Sequence, residues 1–238
     1  MKANTSNLTV RRSSERGHAN HGWLDTHHSF SFADYYDPAH MGFRSLRVIN
    51  QDKVAPGAGF PTHPHRDMEI FSYVVSGAIA HKDSMGNGRE LRPGQVQLMS
   101  AGSGVTHSEF NPSKSDPLEL LQIWIQPEFR GLKPSYTEWH PSTEAAEQSK
   151  VLVISKDGRE GSATIHQDAD IYRVRLKAGE SISHDLGSGR GLWLQLIEGS
   201  LFDGSVTLEA GDAVSTETAG RIEFAANSDT EALLFDLA

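Results

Sequence analysis

The chain of 238 residues contains no cysteine, which excludes disulfide bonds and thiolate metal ligands. It also lacks a long apolar run, because the longest, around Leu118–Ile125, is interrupted by Glu119 and Gln122. A membrane-spanning helix needs roughly 18 apolar residues. Residues Met1–Asn7 contain no apolar segment of the kind found in secretory signals. We therefore expect a cytoplasmic protein with no membrane partner, in which any bound metal ion is held by nitrogen and oxygen atoms.

Positive charge is also scarce. The chain has 22 Lys and Arg residues against 31 Asp and Glu, a formal net charge of −9, and no basic stripe with interleaved aromatic residues. Such a surface repels phosphate backbones, so we expect no direct binding of nucleic acid. Histidine, in contrast, is abundant, with 12 residues. Imidazole is a common metal ligand, so the positions of the histidines need close attention.

Short β-rich runs separated by glycine and proline turns predict an all-β protein. A polar segment from about Pro134 to Lys150 separates two such halves, and within it Thr143–Lys150 is predicted to form a short helix capped by Ser142. We therefore predict two domains, residues 1–135 and residues 136–238. The predicted strands are Leu46–Ile49, Glu69–Val75, Gln95–Met99, Leu118–Ile125, Val151–Ile154, Ile171–Leu176, Leu192–Ile197, Ser205–Leu208 and Ala232–Leu237.

The two halves share a pattern that indicates an internal duplication. A strand that ends in Gly, a loop, and a Pro-Gly or Ala-Gly turn into the next strand occur around Val75–Val96 and again around Ile197–Ala213. Only the first copy carries a cluster of histidines, whereas the second offers Ser183-His184-Asp185 and no counterpart of His107. We expect the second half to be structural.

Two short motifs in the first half predict a metal site. Residues i and i+2 of a strand face the same side, so His63-Pro64-His65 presents two imidazoles together and His107-Ser108-Glu109 presents an imidazole and a carboxylate. Two such pairs on neighbouring strands would converge four donor atoms on one divalent transition metal. One His-x-His motif alone is weak evidence, and the second pair at matched spacing is what favours a metal site over surface histidines.

Other polar residues near these motifs have structural interpretations. Gln122 and Trp124 alternate with apolar neighbours on one predicted strand, and either face of that strand can line the cavity. His81 is predicted to lie on the surface at the end of a hairpin. The remaining histidines near the start of the chain are predicted to pack and hydrogen-bond in an arm over the barrel, part of which roofs the pocket, rather than to bind a second metal: His18, His21, His27, His28 and His40.

The metal-site motifs resemble known sequence patterns. The spacing Gly57-x5-His63-Pro64-His65-x3-Glu69-x7-Gly77 resembles the first cupin motif, and His107-x3-Asn111 resembles the second. The run Ser100–Gly104 before His107 and the segment Gly17–Pro38 resemble the pirin family more closely, and the resemblance covers most of the chain. It implies a bicupin fold of two jelly-roll β-barrels, the second without metal ligands.

The pirin resemblance also implies the metal ligands, namely His63, His65, His107 and Glu109. The general cupin pattern instead selects Glu69 as the carboxylate ligand, and its spacing places it in strand phase with His65. We favour Glu109 because pirins use its position. Glu69 is then expected to accept a hydrogen bond that orients a histidine, or to pair with Arg66.

Three neutral imidazoles and one carboxylate leave one or two coordination positions of a divalent ion open. Nitrogen and oxygen ligation suits Fe, Mn, Co, Ni, Cu or Zn, and the pirin resemblance places Fe(II) first. The resemblance implies a quercetin 2,3-dioxygenase-like oxidoreductase, which opens the central ring of a flavonol such as quercetin with O2 and releases carbon monoxide. In this hypothesis Glu109 is the catalytic base for the substrate hydroxyl.

Two other functional hypotheses stay open. The first is a non-enzymatic, metal- or redox-sensing module that binds a partner protein, as proposed for eukaryotic pirins. The second is a zinc-type isomerase or hydrolase, which ranks last because the sequence offers no strong candidate for the additional general base that it needs.

Overall fold

The computed structural model describes residues 8–238. Residues Met1–Asn7, from which the sequence predicts no secretory signal, lie outside the described residues. One α-helix, α1 (Thr143–Glu147), and 3-10 turns at Ser13–Glu15 and Arg159–Gly161 are the helical structure of this range. Among the described residues, no helix has the length and hydrophobicity needed to cross a membrane.

The strands that the described range forms are β1 (Thr9–Arg11), β2 (Gly17–Asn20), β3 (Leu24–His28), β4 (Leu46–Val54), β5 (Gly59–His65), β6 (Glu69–Ser76), β7 (Ile79–Asp83), β8 (Gly88–Leu91), β9 (Val96–Ser100), β10 (Val105–Phe110), β11 (Leu118–Ile125), β12 (Ser135–Trp139), β13 (Lys150–Ser155), β14 (Ala163–Thr164), β15 (Ala169–Leu176), β16 (Ser181–Leu186), β17 (Gly191–Glu198), β18 (Ser200–Phe202), β19 (Thr207–Glu209), β20 (Ala213–Thr216), β21 (Gly220–Ala226) and β22 (Thr230–Leu237). The all-β prediction is confirmed, and each predicted apolar run lies in a strand or overlaps one. The predicted short helix is α1, and the Ser142 hydroxyl caps it by accepting a hydrogen bond from the Ala145 amide at 3.0 Å.

One compact unit comprises residues 17–141 and 156–167. Its larger sheet has the order β12-β9-β6-β11-β4-β3-β2, and its smaller sheet has the order β5-β10-β7-β8. Along β4, alternate residues from Leu46 to Val54 are all buried, as expected for a strand with one face on the core. Apolar side chains of both sheets form a shared core: Leu24, Val54, Val74, Ile79, Leu91, Leu118 and Leu120.

The other compact unit comprises residues 142–155 and 168–238 together with the described residues up to Arg16. Its strands form one sheet with the order β1-β20-β17-β22-β15-β13 and a second with the order β16-β21-β18-β19. Fifteen buried apolar residues drawn from both sheets, among them Leu194, Phe224 and Leu234, form its core.

The compact units differ in their boundaries from the predicted domains, which were two continuous segments. Strand β1 pairs with β20, with Thr9 opposite Ser215, so the first described strand belongs to the unit formed mainly by the second half. Residues 156–167 belong to the other unit, where Lys156 forms an ion pair with Glu128 at 2.7 Å. Pairing between residues distant in the chain is not visible in local sequence patterns, so these exchanged segments could not be predicted.

Candidate metal centre

Strands β5 and β10 bring the two predicted motifs together. They pair antiparallel with His63 directly opposite His107, and the register shifts between His107 and Glu109 so that Glu109 lies opposite Phe60. The strands approach closely at Gly59, where a Cβ atom would lie 2.2 Å from the Glu109 carbonyl oxygen. A glycine is therefore required there for this pairing.

The three predicted histidine ligands form one cluster. Their candidate donor atoms all lie within 4.8 Å of one another. The ring centroids are 4.7 Å apart for His63 and His65, 4.5 Å for His63 and His107, and 4.9 Å for His65 and His107. His107 is buried, whereas His63 and His65 are half-buried. The cluster is therefore enclosed on one side and accessible on the other.

The hydrogen bonds of the cluster indicate how a cation fits. Nδ1 of His63 lies 2.7 Å from the Pro61 carbonyl oxygen, to which it must donate, so Nε2 of His63 carries a lone pair. This Nε2 faces Nε2 of His107 at 3.1 Å. Two imidazole nitrogens at this distance need a proton or a cation between them. A divalent ion with nitrogen ligands fits this donor set.

Two of the histidines are also held in the neutral form that metal binding requires. Burial, together with the neighbouring His107 and His63, lowers the pKa of His65 to about 4. Burial and the neighbouring His63 and His81 lower the pKa of His107 to about 3. At neutral pH, protons therefore do not compete with a metal ion for these two imidazoles.

Glu109 lies deeper in the barrel and forms a buried polar network. Its Oε1 accepts a hydrogen bond from Gln97 and lies 3.0 Å from the Ser72 hydroxyl, and its Oε2 accepts one from Gln122 Nε2 at 2.7 Å. Within the described residues, Glu109 shares a potential metal-binding group with His107 and His81 rather than with all three predicted histidines. Its role as the fourth ligand stays a prediction.

A second buried carboxyl group lies near Glu109. Asp52 faces inward from β4 and is 3% exposed. Burial raises the pKa of Asp52 to about 7; the Thr26 hydroxyl opposes this shift, and the negative charge of Glu109 adds to it. The interior of this barrel therefore holds two neighbouring carboxyl groups.

Glu69, the alternative carboxylate ligand, belongs neither to the group of three histidines nor to the group of His81, His107 and Glu109. It accepts hydrogen bonds from the Ser100 hydroxyl at 2.6 Å and from the His166 amide at 3.3 Å, and its carboxylate lies 3.4 Å from Nδ1 of the His166 ring. The turn between β5 and β6 contains Asp67 at a φ of 50°, which breaks the strand phase expected between Glu69 and His65. Glu69 was expected to orient a histidine or to pair with Arg66. It does contact a histidine, but this is His166 and not a member of the metal cluster.

The prediction for His81 was wrong. His81 is 3% exposed, and its ring lies 5.3 Å from that of His107 and stacks at 4.9 Å on that of Tyr136. The burial of His81 follows from its position in β7, where the alternate residues Ile79, His81 and Asp83 are all buried on one face. A hydrophobic pattern alone missed it because two of these three residues are polar.

The face of β11 that carries Gln122 and Trp124 is the one that faces the metal site. Gln122 faces the barrel interior and contacts Glu109, and Trp124 packs edge-on against His65 at a ring distance of 5.0 Å. The predicted hydrogen bonding of the early histidines is confirmed at three positions, with partners Asp25 for His18, Asn50 for His28 and Asp37 for His40. His18, Asp25 and His27 also form a small exposed group that could hold a metal ion.

Comparison with known proteins identifies the family. The pirin family model matches residues 9–125, and a model described as the quercetinase C-terminal cupin domain matches residues 152–237. A protein named quercetin 2,3-dioxygenase from Escherichia coli K12 is 47% identical over 97% of this chain and 98% of its own length. The chain belongs to the pirin family. A pirin-like protein from Caulobacter vibrioides is also 40% identical over 93% of this chain and 96% of its own length.

Solved structures of pirins have the same fold. The bacterial pirin YhhW of Escherichia coli, solved in complex with nickel(II), is similar with a TM-score of 0.92 and 46% identity, over 97% of this chain and 98% of that one. A quercetin 2,3-dioxygenase from Acinetobacter baumannii, at 17% identity and a TM-score of 0.75, shares the fold. The predicted bicupin architecture and pirin membership are thus both confirmed.

Proposed function

We propose that this pirin is a metal-dependent dioxygenase that opens the ring of a flavonol-like aromatic substrate with O2. The observation that supports it most is the convergence of three imidazoles, those of His63, His65 and His107, at a site that is open on one side. With four nitrogen and oxygen ligands, an ion of coordination number five or six keeps one or two open positions, and open positions serve chemistry. The names of the curated relatives support the same reaction class.

The four ligands in this proposal are the three histidines and Glu109. The nickel(II) complex of the Escherichia coli relative supports a divalent ion, and nitrogen and oxygen ligation suits Fe(II) equally. We place Fe(II) first, with Ni(II) as the ion to compare. When bound, such an ion supplies a Lewis acid that lowers the pKa of a coordinated hydroxyl group and offers positions for exogenous ligands.

The protein side chains have defined roles in this proposal. Gln97 and Gln122 hold the Glu109 carboxylate from both oxygens, which fixes its orientation as a base for the substrate hydroxyl proton. A surface depression of about 550 Å³ has His65 and Arg66 among its lining residues, and in this proposal the substrate approaches the histidine cluster from it. Trp124, packed on His65, supplies an apolar wall.

Turnover of quercetin tests the proposal directly. The protein is loaded with Fe(II), Ni(II), Cu(II) or Co(II), and the absorbance of quercetin is followed in air and under nitrogen, with carbon monoxide measured in the headspace. We expect loss of absorbance and carbon monoxide only with metal and O2 together. If protein with a full complement of metal consumes no flavonol, the enzymatic proposal is wrong, and the metal-sensing hypothesis is the next to test.

A further inference from the structure

The barrel that holds the histidine cluster also contains a cavity of about 340 Å³. None of His63, His65, His107 and Glu109 lines it. Its walls come from β2, β3, β4 and β5 and from the segment that follows β3. The lining residues used below are His28, Phe32, Asn50, Asp52 and Phe60.

Asp52 is an unusual wall residue. It is 3% exposed and lines the cavity, and its Oδ1 has no hydrogen-bond partner within the part of the chain that the structure describes. A buried carboxyl oxygen without a partner is costly, and such atoms are rare in folded proteins. The Thr26 hydroxyl, which lies opposite Asp52 on β3 and also lines the cavity, likewise has no hydrogen-bond partner in the described residues, so this part of the wall presents two polar groups to a bound ligand.

The other walls define the shape and polarity of that ligand. Phe32 and Phe60 present aromatic rings, which favour a flat apolar partner. Nδ1 of His28 and Oδ1 of Asn50 lie 2.7 Å apart, so these two polar groups already satisfy each other at the wall. An apolar cavity of about 150 Å³ holds benzene, so a cavity of 340 Å³ has room for one or two rings.

The cavity is linked to the metal cluster by side-chain contacts. The ring of Phe32 packs edge-on against Trp124 at 5.4 Å, and Trp124 packs edge-on against His65 at 5.0 Å. One aromatic side chain therefore separates a wall of the cavity from a proposed metal ligand. A ligand in the cavity would lie next to the reactive centre.

We propose that this cavity is a binding subsite for a hydroxylated aromatic ring of the substrate, in which the Asp52 carboxyl group accepts a hydrogen bond from a ring hydroxyl and Phe32 and Phe60 pack against the ring. This inference rests on the proposed function in taking the ligand to be the substrate. It identifies Asp52 as a determinant of specificity for hydroxylated over unsubstituted rings.

Equilibrium binding tests the subsite without turnover. Nickel-loaded protein is titrated under nitrogen with quercetin and with flavone, which has the same ring skeleton without hydroxyl groups, and quenching of tryptophan fluorescence gives each Kd. We expect Asp52→Leu to weaken quercetin binding roughly three- to tenfold, the effect of one hydrogen bond, and to leave flavone binding unchanged. Asp52→Asn retains an acceptor oxygen and should stay within about twofold of the wild type.

Two further variants complete the experiment. Glu90→Leu changes an exposed carboxylate of β8 that pairs with Arg92 at 3.1 Å; neither residue lines the cavity, so both Kd values should stay unchanged. Ala19→Phe fills part of the cavity from β2, two strands away from Asp52, and should weaken both ligands. It also serves as the test if Asp52→Leu does not fold, which the melting temperature shows.

The outcomes separate the subsite from the proposed function. If wild-type protein does not bind quercetin, or if Asp52→Leu and Ala19→Phe leave every Kd unchanged, the subsite proposal is overturned, even when quercetin is consumed in air. The expected binding pattern without any consumption in air supports the subsite and refutes the dioxygenase. Loss of affinity for flavone in Asp52→Leu equal to that for quercetin overturns the proposed hydrogen bond.

Discussion

Nε2 of His63 and Nε2 of His107 face each other at 3.1 Å across the β5–β10 pair. The Pro61 carbonyl fixes the tautomer of His63, and burial lowers the pKa of His107 to about 3. The two nitrogens are therefore placed as a pair of ligands for one ion.

Removing His107 should abolish tight metal binding. We expect His107→Ala to weaken Ni(II) binding by more than about 100-fold, because changes to groups that merely support a ligand already cost roughly 10- to 100-fold. Isothermal titration calorimetry measures the affinity. His140→Ala is the control, since His140 is exposed and contacts Glu138 away from the cluster. Equal affinities in the two variants would refute the assignment of His107.

The identity of the carboxylate ligand can be tested by a matched pair of variants. Glu109→Gln should lower the bound metal content at least about tenfold, because a neutral amide is a poor replacement for a carboxylate. Glu69→Gln should keep its metal, since Glu69 contacts Ser100 and His166 instead of the cluster. Metal analysis of both proteins after dialysis decides between them. Metal loss in Glu69→Gln alone would reverse the assignment.

The sequence predicted what depends on local periodicity. The facing histidine pairs followed from their i, i+2 spacing, and β6, β11 and β22 followed from apolar runs. It could not choose between Glu69 and Glu109, because the choice depends on the turn at Asp67 and on a register shift in β10. The partners of Glu109, Gln97 and Gln122, lie on β9 and β11 in the other sheet of the barrel, and no local pattern identifies contacts from one sheet to the other.

The close approach of β5 and β10 makes a prediction about Gly59. We expect Gly59→Ala to push the strands apart, since the added Cβ would lie 2.2 Å from a backbone oxygen of Glu109, and so to lower both the melting temperature and the Ni(II) affinity. Gly88→Ala is the control, because a Cβ at Gly88 meets nothing within 4 Å. Thermal unfolding with and without Ni(II) measures both effects. A metal-induced shift of wild-type size in Gly59→Ala would contradict the prediction.

The pH dependence of stability should reveal a buried ion network in the compact unit that contains residues 168–238. Asp236 lies 2.8 Å from Nε2 of His184 and also forms an ion pair with Arg190. Burial alone would raise the pKa of Asp236, but hydrogen bonds from His184 and Arg190 outweigh burial and lower it. The resulting stability is complete above the unfolded-state pKa of about 3.9 and is lost as the pH falls through the lower folded-state value.

Asp236→Asn should therefore be less stable than the wild type by about 2 kcal/mol at pH 7, below the cost of breaking a fully buried pair because Arg190 is partly exposed. The difference should shrink as the pH falls below about 4. Urea unfolding at several pH values measures it. Asp229→Asn, which breaks an exposed pair with Lys177, should have a much smaller effect. A difference that is independent of pH would exclude the ion network as its source.

In the second barrel, apolar side chains occupy the positions that correspond to most of the proposed ligands of the first. His184 lies opposite Ile222 in the β16–β21 pair, as His63 lies opposite His107 in β5–β10. The positions that correspond to the other three proposed ligands are then occupied by Leu186, Ile222 and Phe224, all in the apolar core of that unit. Side chains without lone pairs fill the space that donor atoms fill in the first barrel.

The pairing of β1 with β20 has a consequence for synthesis on the ribosome. Thr9–Arg11 leaves the ribosome before its partner Ala213–Ser215, which follows roughly 200 residues later. At about 5–20 residues per second this is a delay of roughly 10–40 s. The barrel of residues 17–141 can start to fold in that interval while β1 waits unpaired. The first described strand of the chain is thus among the last to pair, and the speed of translation sets the length of the delay.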